Sequence, residues 1–172
     1  MRRFINWVFV VGALVGVFYL VGLIVPRSQT QSSKTQTQTK PDELYALVAD
    51  VSSWPQWHPE VARVEERPER NDHLVWRVTE KDGDSYELEL TQAEEEKIWL
   101  ATYSHGGSRV TLRFVFGWFG QGGRMHVTRT VDTRDPWLRA RLVFWGRDEA
   151  TPLTLLNAIS QHLGEASKAV VD

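Results

Sequence analysis

The side chains that titrate nearest neutrality are five histidines, His58, His73, His105, His126 and His162. None stands at HxH or HExxH spacing, so the sequence predicts no metal site. The chain has no cysteine, which excludes a disulfide scaffold, a thiolate zinc site, an iron–sulfur cluster and a thiol nucleophile. His105-Gly106-Gly107-Ser108 has the composition of an oxyanion-hole loop, but the GxSxG nucleophile elbow that such a loop serves is absent, and the segment reads as a hairpin turn. The glycine-rich stretch 117–123 precedes no helix N-terminus that would hold a phosphate, so it too reads as a turn. Glu94-Glu95-Glu96 reads as a solvated loop. Acid–base work would fall to His105, Arg113 or His126 if the fold turned one of them into a cavity. Strand alternation sets Arg113 against Phe114 and His126 against Met125, which directs both outward. No catalytic residue, metal ligand or cofactor motif is predicted.

The elements that would carry these residues change period along the chain. Thr35 to Thr39 alternates threonine with glutamine, a strand pattern. Pro41-Asp42-Glu43 opens a helix with the Leu44, Leu47, Val48 stripe, its cap being Lys40 or Thr39. Trp54-Pro55-Gln56-Trp57-His58-Pro59 allows only a short helix or turn and carries two tryptophans that need burial. Six strands follow at 61–66, 73–80, 85–92, 97–105, 109–118 and 124–132, separated by Asn, Asp and Gly turns. Leu74, Trp76 and Val78 share a face, as do Tyr86, Leu88 and Leu90, and Val110 through Trp118 at every second residue. One side of the sheet is therefore apolar. From Pro136 the helical period returns in two pieces, joined irregularly between Gly146 and Pro152. The second carries a stripe of Leu156, Ile159, Leu163, Ala166 and Val170 that should lie across the sheet.

Averages conceal two unlike parts of the 172 residues. Phe4 to Val25 holds 22 residues without a charge, about 33 Å of helix against a hydrocarbon core of ~30 Å. It lacks the small-x-small exit of a signal peptide, so residues 4–25 read as an uncleaved transmembrane anchor. Arg2 and Arg3 predict a cytoplasmic N-terminus and an extracytoplasmic domain. Gly12 and Gly16 form a GxxxG pair at which a second copy could pack weakly. Residues 1–40 carry five basic and no acidic side chains, leaving fifteen basic and twenty-two acidic beyond them, a net of −7. That sign argues against nucleic acid as a partner. The stretch from Trp137 to Arg147 is basic and aromatic, suited to an anionic membrane surface or to packing on the sheet.

One strand, two short helices, six antiparallel strands and a long C-terminal helix describe a helix-grip α+β fold, a curved seven-stranded antiparallel sheet wrapped around that helix and preceded by one transmembrane helix. The opening from Pro41 to Val51, followed by Trp54-Pro55-Gln56-Trp57-His58-Pro59-Glu60-Val61, resembles the START-like (SRPBCC) superfamily, especially bacterial polyketide cyclase or dehydrase-like members. The resemblance covers about residues 31 to 170 and departs at the first strand, where Thr and Gln replace the usual apolar and charged residues. Its motif speaks for the fold more than for the function, since relatives bind lipids, quinones, sterols, polyketides or hormones. The expected organisation is an anchor at 1–26, a tether at 27–34 and the START-like domain at 35–172. Such a fold leaves a concave apolar space between sheet and helix. By parity its lining would be Trp76, Tyr86, Leu88, Phe114, Phe116, Trp118, Leu156, Ile159 and Leu163. The expected function is binding of a hydrophobic small molecule such as a lipid, isoprenoid or aromatic compound. The alternatives are a cyclase or dehydratase-like enzyme, or an anchored interaction factor whose acidic stretch 41–96 meets a partner.

Overall fold

A computed structural model describes residues 2–94, 97–144, 151–166 and 168–171, with no side chain described at 2–6, 8, 9 and 142. Trp145, Gly146 and Arg147, and Glu95 and Glu96 of the acidic loop, lie outside the described residues. Helix α1 runs Arg2–Ile24, β1 Ser28–Thr37, α2 Pro41–Ala49 and α3 Trp54–Trp57, with a 3-10 turn at Val51–Ser53 between the last two. The strands β2 Val61–Arg70, β3 His73–Glu80, β4 Ser85–Glu94, β5 Ile98–His105, β6 Ser108–Phe119 and β7 Gly122–Asp132 come next, then α4 Pro136–Phe144, α5 Pro152–His162 and a short β8 Val170–Val171.

All strands join one antiparallel sheet in the order β2-β3-β4-β5-β6-β7-β1-β8. The meander follows its turns: Asn71 and Asp72 take positive φ (53° and 63°), as a two-residue hairpin turn requires. β1 returns from the far end of the chain to pair with β7 over its whole length, Ser28 opposite Asp132 and Thr37 opposite Gly123. Glycine is needed where β1 ends. A Cβ at Gly122 would collide with the Thr37 carbonyl, and one at Gly123 would lie 2.6 Å from the Thr39 carbonyl.

The inner face of the sheet is the core. Trp99 sits at its centre, 1% exposed, with ring contacts to Trp54 at 5.5 Å and Phe114 at 5.7 Å. Helices α2 and α5 cover this face, α2 over β5 to β7 and α5 over β7 and β1. Both begin on proline at N1. Lys40 occupies the cap of α2 without a side-chain bond, whereas the Thr151 hydroxyl caps α5 by accepting from the Thr154 amide at 3.2 Å.

Two expectations are corrected. The sheet has eight strands rather than seven, because the last helix stops at His162 instead of running to Val170. Gly164 takes φ +70° just past the helix end and the Glu165 amide bonds back to Ser160, a left-handed stop that turns the chain out. The Glu165 carboxylate then accepts from the Gln38 and Thr39 amides and the Thr39 hydroxyl, at 2.9, 3.0 and 2.7 Å, which lays the tail beside β1. β1 begins at Ser28, inside the stretch 27–34 whose composition reads as a tether. Among the described residues no helix is long and apolar enough to cross a membrane. Gly12 and Gly16 meet nothing of their own chain within 4 Å.

The C-terminal end of α1 is fastened to α4. A Cβ at Gly22 would strike the Pro136 carbonyl, the Phe18 ring lies 5.3 Å from Trp137 and 5.6 Å from Phe144, and Arg139 donates to the Val25 carbonyl at 3.0 Å. Residues 25–27 alone separate α1 from β1.

Candidate functional site

Pairing register decides what the grip encloses. On β6 the residues Val110, Leu112, Phe114 and Phe116 face inward, and their partners on β7 are Val131, Arg129, Val127 and Met125. One member of that row is a cation: Arg129 is 9% exposed between Val127 and Val131 in an otherwise apolar row. Its guanidinium donates to the hydroxyl of Tyr103, which reaches inward from β5 beyond Trp99 and Ala101. Tyr103 stacks on Tyr86 of β4 with ring centroids 4.2 Å apart, and His105 at the end of β5 meets the edge of Tyr86 at 5.8 Å. Glu80, at the inward parity of β3, and Glu60 act electrostatically on both tyrosines.

A cation buried in an apolar row is costly to desolvate and persists where polar partners meet it. The tyrosines show the resulting balance. Burial pushes the Tyr103 hydroxyl up to about 12 against the opposing pull of the Arg129 charge and hydrogen bond, with Glu80 and Glu60 adding to the rise. Burial pushes Tyr86 up further, helped by Tyr103, Glu80 and Glu60. Both phenols are therefore neutral hydrogen-bond donors throughout the physiological range. Guanidinium and phenols together form a donor group inside an apolar shell, able to hold a carbonyl, enolate or carboxylate oxygen whose remainder packs on the aromatic face.

Of the nine residues expected to line the space, Trp76, Tyr86, Leu88, Phe114, Phe116, Leu156 and Ile159 are buried on the inner face or on α5 above it. Leu163 caps α5 and packs half-buried against the same core. Trp118 does not join them. It has the right parity but is 63% exposed, because the β6–β7 hairpin extends beyond its helical cover. Arg113 is exposed and His126 half-buried at the outward parity, as alternation requires, while His105 has the inward one. Arg129 and Tyr103 were absent from the expected set. Their signal is the same alternation: Met125-Val127-Arg129-Val131 and Trp99-Ala101-Tyr103 are inward rows read at every second residue.

β1 adds buried hydroxyls at Ser33, Thr35 and Thr37, and the Thr35 Oγ1 has no hydrogen-bond partner. Grooves of about 590 and 620 Å3 adjoin at Ser104 and Arg109, and the first is lined by Tyr86 and Tyr103 together with Arg70, Arg77 and Glu87. His58 belongs to the helical corner: it stacks on Trp54 at 5.5 Å, and its Nδ1 accepts from the Glu60 amide at 3.3 Å. Burial, with the nearby Lys81 charge, holds it down at about 4. Among the described residues no group of three or more His, Asp or Glu side chains could hold a metal.

Residues 29–152 match the model of the family described as polyketide cyclase / dehydrase and lipid transport. No curated protein matches the chain in sequence. Among solved structures, the ZhuI aromatase/cyclase from Streptomyces sp. R1128 is similar with a TM-score of 0.66 at 12% identity, over 80% of this chain and 94% of that one. A START superfamily protein from Mycobacterium smegmatis gives 0.60 at 14% identity, over 78% and 97% of the two chains. Norcoclaurine synthase from Thalictrum flavum gives 0.61 at 11% identity, over 79% and 94%. The chain spans about half the length of the di-domain aromatase/cyclases StfQ and BexL, 52% and 47%. At these identities the likeness is one of fold, and it is the helix-grip fold described above.

Proposed function

The chain belongs to the polyketide cyclase/dehydrase and lipid transport family, and from that premise we propose that it binds a hydrophobic small molecule bearing an oxygen function. The ligand lies between the inner face of the sheet and α5, its oxygen end at Arg129 and Tyr103. The observation that carries this reading is the cation at position 129, buried in a row of Met, Val and Val and hydrogen-bonded to a neutral phenol. A core that needed only to be filled would be more stable with a hydrocarbon there. A lipid, an isoprenoid acid or an aromatic compound fits the aromatic lining.

Titration of the purified full chain with the fluorescent fatty acid cis-parinaric acid and with its alcohol tests this. The acid should bind, and Arg129→Leu should weaken it about tenfold or more, the range of one charge-assisted hydrogen bond, while the alcohol is affected little. Equal weakening of both probes, or no binding of either, would overturn the assignment. A second reading, cyclisation or dehydration, rests on the same donors, which could stabilise an enolate oxygen. Turnover of a synthetic β-polyketone thioester, lost in Tyr103→Phe, would favour it over carriage.

We also propose that residues 4–25 hold the domain at a membrane, with the domain outside the cytoplasm. Two things support this: the uncharged run itself, and apolar side chains around the whole circumference of α1. Leu14, Val17, Leu20, Leu23 and Ile24 are all half or more exposed, so this helix has no polar face to present to water. A periplasmic reporter fused at the C-terminus should be active, and activity of a cytoplasmic reporter there instead would reverse the orientation.

A further inference from the structure

Helix α4 is fixed to the end of α1 through Gly22, Phe18 and Arg139, yet leaves Trp137, Val143 and Phe144 43, 53 and 56% exposed. These apolar side chains continue the exposed apolar surface of α1. Tyr19 and Trp137 lie 5.8 Å apart at the seam. The basic residues beside them, Arg27, Arg134 and Arg141, are exposed, and Asp135 is tied to the Trp137 amide at 2.8 Å. The β5–β6 turn also lies at this end. Gly107 of the β5–β6 turn would place a Cβ 3.0 Å from Leu138, and His105 is two residues away.

We propose that α4 is a second membrane contact, lying along the last two turns of α1 at the edge of an anionic phospholipid bilayer with Trp137, Val143 and Phe144 toward the lipid. The inference rests on the anchoring by α1 and deepens it. Because α4 is clamped to that helix, the domain takes one orientation, with the β5–β6 end of the sheet toward the lipid. Charge complementarity selects a lipid surface over a protein groove: Arg27 follows α1, Arg134 precedes α4 and Arg141 lies on it, whereas the rest of the domain is acidic.

The absence of cysteine makes the test direct. Val143→Cys, Val15→Cys and Glu69→Cys, each labelled with the fluorophore NBD, are reconstituted as full chains in phosphatidylcholine vesicles with and without a quarter of phosphatidylglycerol. Nitroxide-labelled lipids should quench the label at position 143 about twofold or more over that at position 69. Arg134→Glu with Arg141→Glu, or omission of phosphatidylglycerol, should remove most of that difference. Quenching at position 15 without quenching at 143 overturns this inference and leaves the anchor standing. Absence of quenching at position 15 overturns both. Disulfide cross-linking of unlabelled Val143→Cys in place of quenching would show a second copy on the patch, and quenching indifferent to charge would show that no anionic surface is involved.

Discussion

Lowering the pH should loosen the helical corner before the rest of the domain, and His58 sets the size of the effect. In the folded chain it is 5% exposed between Trp54 and Trp57, and burial together with Lys81 holds it down at about 4, against an ordinary value of 6.5. The Lys81 Nζ donates to the Pro59 carbonyl at 2.6 Å, so that charge cannot swing away without losing its own bond. The unfolded chain therefore takes up a proton on this group that the folded chain refuses. The stability it contributes is fully present above about pH 6.5 and is lost as pH falls toward 4. The whole gap corresponds to about 3 kcal/mol, of which roughly 2 kcal/mol is lost between pH 7 and pH 5. The perturbation is His58→Asn, which keeps an acceptor for the Glu60 amide but cannot be protonated. Loss of the ring stack should lower stability at pH 7 by about 1 kcal/mol. Urea unfolding of the full chain in non-ionic detergent, followed by tryptophan fluorescence at pH 7, 6 and 5, measures the slope for both proteins, and carboxylates common to the two cancel in the difference. The variant should lose about 2 kcal/mol less than the native chain over that interval. Parallel slopes would refute the reasoning, since the protonation at fault would then lie elsewhere.

Glu165→Gln should release the tail. Burial alone would push this carboxyl up, but the Thr39 hydroxyl, the Gln38 and Thr39 amides and Lys168 hold it below the usual carboxylate range. Hydrogen exchange at the Gln38 and Thr39 amides should then quicken by up to about tenfold, and the native chain should show the same loosening as pH falls through the carboxylate range; unchanged protection would mean that β8 holds the tail unaided. Gly123→Ala presses a methyl group against the Thr39 carbonyl and, at 2.7 Å, the Leu44 Cδ1. The expected destabilisation is about 2 kcal/mol or more, about 5 °C in Tm, and a variant melting with the native chain would show that the crossing has slack.

Alternation made β3, β4 and β6 legible, since a half-buried strand repeats every second residue and each has one polar and one apolar row. The starts of α2 and α5 were legible in Pro41 and Pro152. β1 was not fully so: Ser, Thr and Gln occupy both faces, so no hydrophobic pattern fixes its limits or register, and these come from the long pairing with β7 and the space left by Gly122 and Gly123. β8 is two valines whose position depends on Glu165 reaching residues more than a hundred places earlier, a contact that no local period records. For the site, parity put most of the expected lining residues on the buried inner face and Arg113 and His126 at the outward one. It was equally able to find Arg129, but a search guided by hydrophobicity passes over a cation in an apolar row. Trp118 fails for the converse reason, because parity assigns a face but not how far along the strand that face is covered.

The join between α1 and β1 has a consequence for distance. Residues 25–27 can stretch over at most about 10 Å, and the bond from Arg139 to the Val25 carbonyl takes up part of even that. Whatever holds α1 therefore holds the grip within a few ångströms. With α1 held in a membrane as proposed, a domain on so short a leash would not ferry cargo from one membrane to another, and any ligand it binds would be received and returned at the place where it stands.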